Sequence, residues 1–185
     1  MRLLEEALGI SRNHWLRRCD VSCNAASIFW TLGPRQVGKA AICGWNEVLQ
    51  HRPESWKIWP FETVNPSTDR WIAEIYPTLA YRIIGLPRNF GKRYPSARKA
   101  QAGTLIRFAG DLGLHLDEHL LTLVHNGFGE NADGEDPFDA FVALLGMVES
   151  MHRIPFPDAP RDEAVRKYEG WIFGLTDNST GQYSN

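Results

Sequence analysis

The stretch Trp71-Ile72-Ala73-Glu74-Ile75-Tyr76-Pro77 decides the fold class. Aromatic and β-branched residues from Trp71 to Tyr76 predict a strand. Pro77 cannot extend a sheet ladder but suits the first turn of a helix, which the pattern carries to about Ile84. Upstream, Trp56 to Phe61 reads as a strand followed by a turn-rich loop from Thr63 to Asp69, and Ser27 to Leu32 is a β-prone run ending at Gly33-Pro34. Residues 36–50 fit a helix, with Val37, Ala40, Ala41, Trp45 and Val48 at helical spacing, and residues 2–8 fit another. Downstream, helices are predicted over 96–109, over 117–125 and from Pro137 to about Met151, with Gly127–Gly134 a glycine-rich acidic loop. A proline-rich connection, Pro155 to Pro160, leads to a short helix from Asp162 to about Lys167 and a last strand over Gly170–Gly174. The alternation predicts an α/β fold with a partly parallel sheet, few strands and several helices. One domain is expected over 1–175, with a polar tail over 176–185.

Composition narrows the function classes. With 43% hydrophobic and 23% charged residues the 185-residue chain is not a disordered one. Twenty Lys and Arg against 22 Asp and Glu give a net charge of -2, which excludes a generally basic nucleic-acid coat but not a local basic patch. No apolar run is long enough for a transmembrane helix, so no membrane partner is expected. The opening Met-Arg-Leu-Leu-Glu-Glu places acids where a signal peptide needs an apolar stretch. Three cysteines do not make a disulfide framework. A cytoplasmic protein with reduced thiols is expected.

The small net charge hides a division. Arg82 to Arg107 holds seven basic residues (Arg82, Arg88, Lys92, Arg93, Arg98, Lys99, Arg107) and no acid. Asp111 to Asp139 holds eight acids and no Lys or Arg. Either the two segments attract each other in the fold, or a basic surface for phosphates lies beside an acidic site for metal.

Four groups of residues could carry chemistry. Gly33-Pro34-Arg35-Gln36-Val37-Gly38-Lys39-Ala40 nearly matches a phosphate loop, but Ala40 replaces the hydroxyl residue that would hold Mg²⁺. Glu74 sits in an apolar strand, where a carboxylate must be paired or bound to metal; its partner would be an arginine such as Arg82, or a cation. Asp136 and Asp139 are three apart at a helix start and can share a divalent ion; equally, Asp136 suits an N-cap with Pro137 at the first helical position, and Asp139 suits the helix dipole. His115 and His119 are four apart and read as a surface pair rather than a zinc site. Cys43 reads as a core residue, and the seven tryptophans as packing rather than a base-stacking platform.

Several segments together resemble the predicted RNase H-like nuclease family known as domain of unknown function 429. They run from Ile28-Phe29-Trp30-Thr31-Leu32-Gly33-Pro34-Arg35 on to Ile42, then Trp59-Pro60-Phe61 and Ala73-Glu74-Ile75-Tyr76-Pro77. Gly127-Phe128-Gly129, Gly134-Glu135-Asp136-Pro137-Phe138-Asp139-Ala140-Phe141 and Glu169-Gly170-Trp171-Ile172 follow in the family's order. The resemblance implies a metal-dependent nuclease fold in which carboxylates hold Mg²⁺ or Mn²⁺ for phosphodiester cleavage. Carried over, Glu74, Asp136 and Asp139 become the catalytic and metal-binding residues. Arg88, Lys92, Arg93, Arg98 and Lys99 would face a nucleic acid. Such folds begin with strands whose first carries a central Asp, and no counterpart stands here, as though the chain were the later two thirds of the family domain. The expectation is therefore a weak nuclease or an inactive one. The alternatives are a non-catalytic interaction or remnant protein with the same fold, and a nucleotide binder using Gly33 to Lys39.

Overall fold

Two short strands, β1 (Trp56–Ile58) and β2 (Arg70–Ile72), pair in parallel, with Trp56 opposite Arg70 and Ile58 opposite Ile72. They belong to a computed structural model that describes residues 9, 15–28, 30–31, 37–65, 67–87, 89–153 and 160–176. The residues form two compact units, one of Met1–Glu74 with Asp158–Asn185, the other of Ile75–Pro157.

In the first unit, α1 (Arg18–Cys23) turns Cys19, Asp20 and Cys23 inward. Helix α2 (Val37–Cys43) runs on through a π-helical turn, Gly44–Val48, and a 3-10 turn, Leu49–His51, covering the predicted helix. Its Cys43, expected in the core, is exposed. The strand predicted to reach Phe61 stops at Ile58. There the Ile58 carbonyl accepts from the Glu62 N–H at 2.9 Å and its N–H donates to the Glu62 side chain at 2.8 Å, closing a turn around Pro60, which has no N–H to pair. Beyond β2, Glu74 forms a parallel bridge with Ile172, and the Phe173 N–H donates to the Glu74 carbonyl at 2.8 Å. The predicted last strand is thus a single bridge. Around it the aromatic rings close the core: Phe173 meets Trp59 and Trp71 at 5.5 and 5.2 Å between ring centroids. Gly170, at φ 74°, lets this segment press on Phe61; a Cβ there would lie 2.8 Å from the ring. The predicted strand at Ser27–Leu32 is a turn in its described part, with the Trp30 N–H donating to the Ser27 carbonyl at 3.0 Å. Residues 2–8 and 177–185 lie outside the described residues.

The second unit is helical. Helix α3 (Pro77–Ile84) starts at its proline and stops at Gly85, which takes the left-handed conformation at φ 81°. The helix predicted over 96–109 is two, α4 (Pro95–Lys99) and α5 (Ala102–Asp111). A tighter bond from the Gln101 N–H to the Arg98 carbonyl marks the break. Helix α6 (Glu118–His125) is capped by Asp117, whose side chain accepts from the Leu120 N–H at 2.7 Å. His115 precedes this helix, so it and His119 do not share a helical face. The longest element is α7 (Glu135–Arg153), and a 3-10 turn, Ala132–Gly134, leads into it. Because that turn is capped by Asn131, the helix begins before Asp136, which is not its N-cap. Apolar residues of these helices, among them Tyr81, Ile84, Leu105, Ala109, Val124, Phe138, Val142 and Leu145, form one core. Among the described residues no helix is long and apolar enough to cross a membrane.

Candidate functional site

The carboxylates singled out in the sequence divide between the units, Glu74 in the first, Asp136 and Asp139 in the second. Each unit settles its charge with its own cation.

Glu74 is gripped by Arg17, with Nη1 donating to Oε2 at 2.6 Å and Nη2 to Oε1 at 2.7 Å. The same guanidinium holds Asp20, Nη2 donating to Oδ1 at 2.8 Å and Nε to Oδ2 at 3.1 Å. Asp20 is almost wholly buried, at 1% exposure, and also accepts from the Arg17 N–H at 3.0 Å, closing the first turn of α1. Burial alone would lower the Arg17 pKa, but the bonds to Glu74 and Asp20 reverse this and hold the guanidinium firmly charged. The Cys19 thiol beside it is pushed up to about 12, chiefly by burial, with the Arg17 charge acting the other way. Glu169 joins the same unit by accepting from the Arg18 N–H at 2.8 Å.

In the second unit Asp139 accepts hydrogen bonds from the Tyr81 hydroxyl and from the Lys92 ammonium. Lys92 also reaches Glu135 at 3.2 Å and lies 5.8 Å from the centre of the Tyr81 ring. Burial disfavours the ammonium, yet the bond to Asp139 and the neighbouring carboxylates outweigh it and raise the Lys92 pKa. The Tyr81 phenol is likewise held protonated, first by burial and then by its bond to Asp139. Asp136, one turn earlier on α7, is exposed. Among the described residues no group of three or more His, Cys, Asp or Glu side chains is placed to hold a metal ion.

Arg98, expected at a phosphate-facing surface, is fully buried, at 0% exposure. Its Nε donates to the Gly127 carbonyl at 2.6 Å, Nη1 to Lys92 and Arg93 at 2.7 and 3.2 Å, and Nη2 to Gly129 and Asn131 at 3.1 and 2.7 Å. A guanidinium has five N–H donors, so five carbonyl dipoles take up its charge. The arginine therefore clamps the glycine-rich loop to the turn at 92–93. Gly134 borders it: a Cβ there would stand 2.5 Å from Nη2.

The other basic residues fall in three places. Lys92 is enclosed by acids, as above. Lys99 pairs with Glu130 at 2.7 Å on the surface, and that contact lowers the Glu130 pKa. Arg93 is exposed and has no carboxylate partner among the described residues. Arg88 lies outside the described residues, as do Gly33–Gln36 of the phosphate-loop look-alike; its Lys39 is exposed. The basic and acidic segments thus attract each other within the second unit, through Lys92 with Asp139 and Glu135 and through Lys99 with Glu130.

Sequence reasoning paired Glu74 with an arginine such as Arg82; its partner is Arg17. A signal for Arg17 was present in its three-residue spacing from Asp20. For Arg98 the signal was the spacing 98, 102, 105, 109 within the predicted helix over 96–109, which groups it with the buried Ala102, Leu105 and Ala109 even though the observed helix breaks between them. No family model, no curated protein and no solved structure matches this chain.

Proposed function

We propose that this chain is a nuclease-related protein of the RNase H-like class that binds nucleic acid without cutting it, its carboxylates serving the fold. The observation that carries this reading is that Glu74 and Asp139 each already hold a cation of the chain itself, Arg17 and Lys92. To ligate Mg²⁺ or Mn²⁺, Glu74 would have to release a two-pronged guanidinium, leaving Asp20 and Arg17 to rearrange. Asp139 would have to release both an ammonium and a phenol. Breaking partly buried ion pairs in this way is costly. The placement of the E-G-W-I element supports the same reading: Glu169 fixes α1, Gly170 fits against Phe61, and Trp171 and Ile172 are buried.

A second reading, a metal-dependent phosphodiesterase using Glu74, Asp136 and Asp139, is favoured by one observation, the exposed Asp136 one turn from Asp139. Calorimetric titration with Mn²⁺, on the native chain and on Asp136→Asn with Asp139→Asn, separates the two. The non-catalytic reading expects no saturable heat and no Mg²⁺- or Mn²⁺-dependent cleavage of DNA or RNA. Saturable binding that disappears in the double variant, accompanied by cleavage, would sink it.

A further inference from the structure

We infer that the turn Gly91–Tyr94 is a stacking platform for single-stranded nucleic acid, with Tyr94 taking an unpaired base and Arg93 the adjoining phosphate. The inference rests on the nucleic-acid-binding reading above and narrows it to one strand state and two side chains.

Tyr94 is 67% exposed, yet its backbone is fixed from several sides. Its N–H donates to the Gly91 carbonyl at 2.8 Å, and its own carbonyl accepts from the Ala97 and Arg98 N–H groups at 3.0 and 3.3 Å. Pro95 follows at the first position of α4 and limits the rotation of the residue before it. Gly91, at φ 73°, brings its bare backbone under one edge of the ring; a Cβ there would lie 3.3 Å from Cδ2.

The buried Arg98 adds the decisive constraint. By drawing the Lys92 and Arg93 carbonyls inward, at 2.7 and 3.2 Å, it turns that stretch of backbone toward the core. The side chains of Arg93 and Tyr94 are left outside, both exposed. Arg93 is also the basic residue of this turn without an acid partner among the described residues, since Lys92 is enclosed by Asp139 and Glu135. Lys99, one turn on, pairs with Glu130, itself 80% exposed, and such a surface pair yields readily to a phosphate.

An exposed ring on a fixed backbone, next to a guanidinium without an acid partner among the described residues, matches the alternation of flat bases and phosphates in a single strand. Base stacking on an aromatic side chain is indifferent to sequence, because every base has a π-face. In a duplex those faces are stacked on one another and closed to the ring. An acidic peptide would use the guanidinium but leave the ring idle.

The test is fluorescence anisotropy of a short fluorescein-labelled oligothymidylate at low salt, with the native chain, Tyr94→Ala, Tyr94→Phe and Arg93→Ala. Circular dichroism checks that each variant is folded. Binding should fall roughly tenfold in Tyr94→Ala and recover in Tyr94→Phe. Arg93→Ala should weaken binding and make its salt dependence shallower by about one phosphate contact. Unlabelled duplex and oligoglutamate should compete poorly. No binding, binding indifferent to Tyr94→Ala, or equal competition by duplex or oligoglutamate each overturns the platform. Binding that is indifferent to Tyr94→Ala, or that duplex competes for equally, overturns the platform alone; no binding of single strand or duplex overturns the nucleic-acid-binding reading with it. Mn²⁺ binding lost in the double asparagine variant overturns the non-catalytic reading alone.

Discussion

Arg17 holds Glu74 by a two-pronged contact, at 2.6 and 2.7 Å, and the buried Asp20 at 2.8 Å with the same guanidinium. One guanidinium thus serves two carboxylates, and the loss of either side is unequal. Arg17→Met strands the Asp20 carboxylate, which is 1% exposed, and should destabilise the chain by about 3–5 kcal/mol. Glu74 is a third exposed, and Glu74→Gln keeps an acceptor for Arg17, so its cost should be about 1 kcal/mol. Urea midpoints of the two variants measure the difference. Equal midpoints would mean that Asp20 does not depend on Arg17.

Arg98 is the more exacting position. Lys has three donors on one nitrogen and cannot span carbonyls at 92, 93, 127, 129 and 131. Arg98→Lys and Arg98→Met should therefore both cost more than about 3 kcal/mol. Limited proteolysis should also find the 127–131 loop newly open. Near-native stability in Arg98→Lys would show that charge alone suffices.

Stability should fall as the solution becomes alkaline. The Cys19, Tyr81 and Lys92 pKa values are all raised in the folded chain. A raised value means that the folded state keeps its proton after the unfolded chain has lost it. Each contribution is complete below the ordinary pKa and fades as pH rises through the folded value. For Cys19 that window opens at the ordinary 9.0 and closes at about 12. Thermal melts from pH 7 upward should show a falling midpoint from about pH 9. Asp139→Asn should flatten this limb, since the bonds to Asp139 raise both Tyr81 and Lys92.

The thiols should separate by rate. Cys43 is exposed, whereas Cys19 and Cys23 are buried. A colorimetric thiol reagent at neutral pH should modify Cys43 promptly and spare Cys19, whose thiolate is scarce with a pKa of about 12. Cys43→Ser should remove the fast phase, and a fast phase that persists would place another thiol at the surface.

Helices α3 and α7 meet without clearance. A Cβ added at Gly146 would lie 2.6 Å from the Ala80 Cβ and 3.0 Å from its Cα. Backbone on both sides cannot give way cheaply, so Gly146→Ala should destabilise by about 1–3 kcal/mol. Ala80→Gly in the same chain should recover part of the loss, as a denaturation cycle over the four variants would report.

The helices of the second unit were legible in the sequence because their signals are local. Pro77 and Gly85 mark the two ends of α3, and Asp117 marks the start of α6. The parallel pairing of β1 with β2 was likewise anticipated as a partly parallel sheet. Strand lengths were not, because a strand ends where its backbone partners end. Ile58 gives its groups to Glu62, and among the described residues the 170–174 segment forms a single bridge, to Glu74.

The sequence by itself determined that Glu74 is a charge in apolar surroundings that must be paired; it left Asp139 as a metal ligand or a helix-dipole residue and turned Arg98 toward a phosphate. Only the tertiary structure decided what neutralises them. Arg17 is 57 residues from Glu74, and Lys92 is 47 from Asp139. Such pairings arise when the chain closes and a charge leaving water takes the nearest opposite charge or dipole. Spacing along the chain records periodicity within one element; it holds no record of that choice.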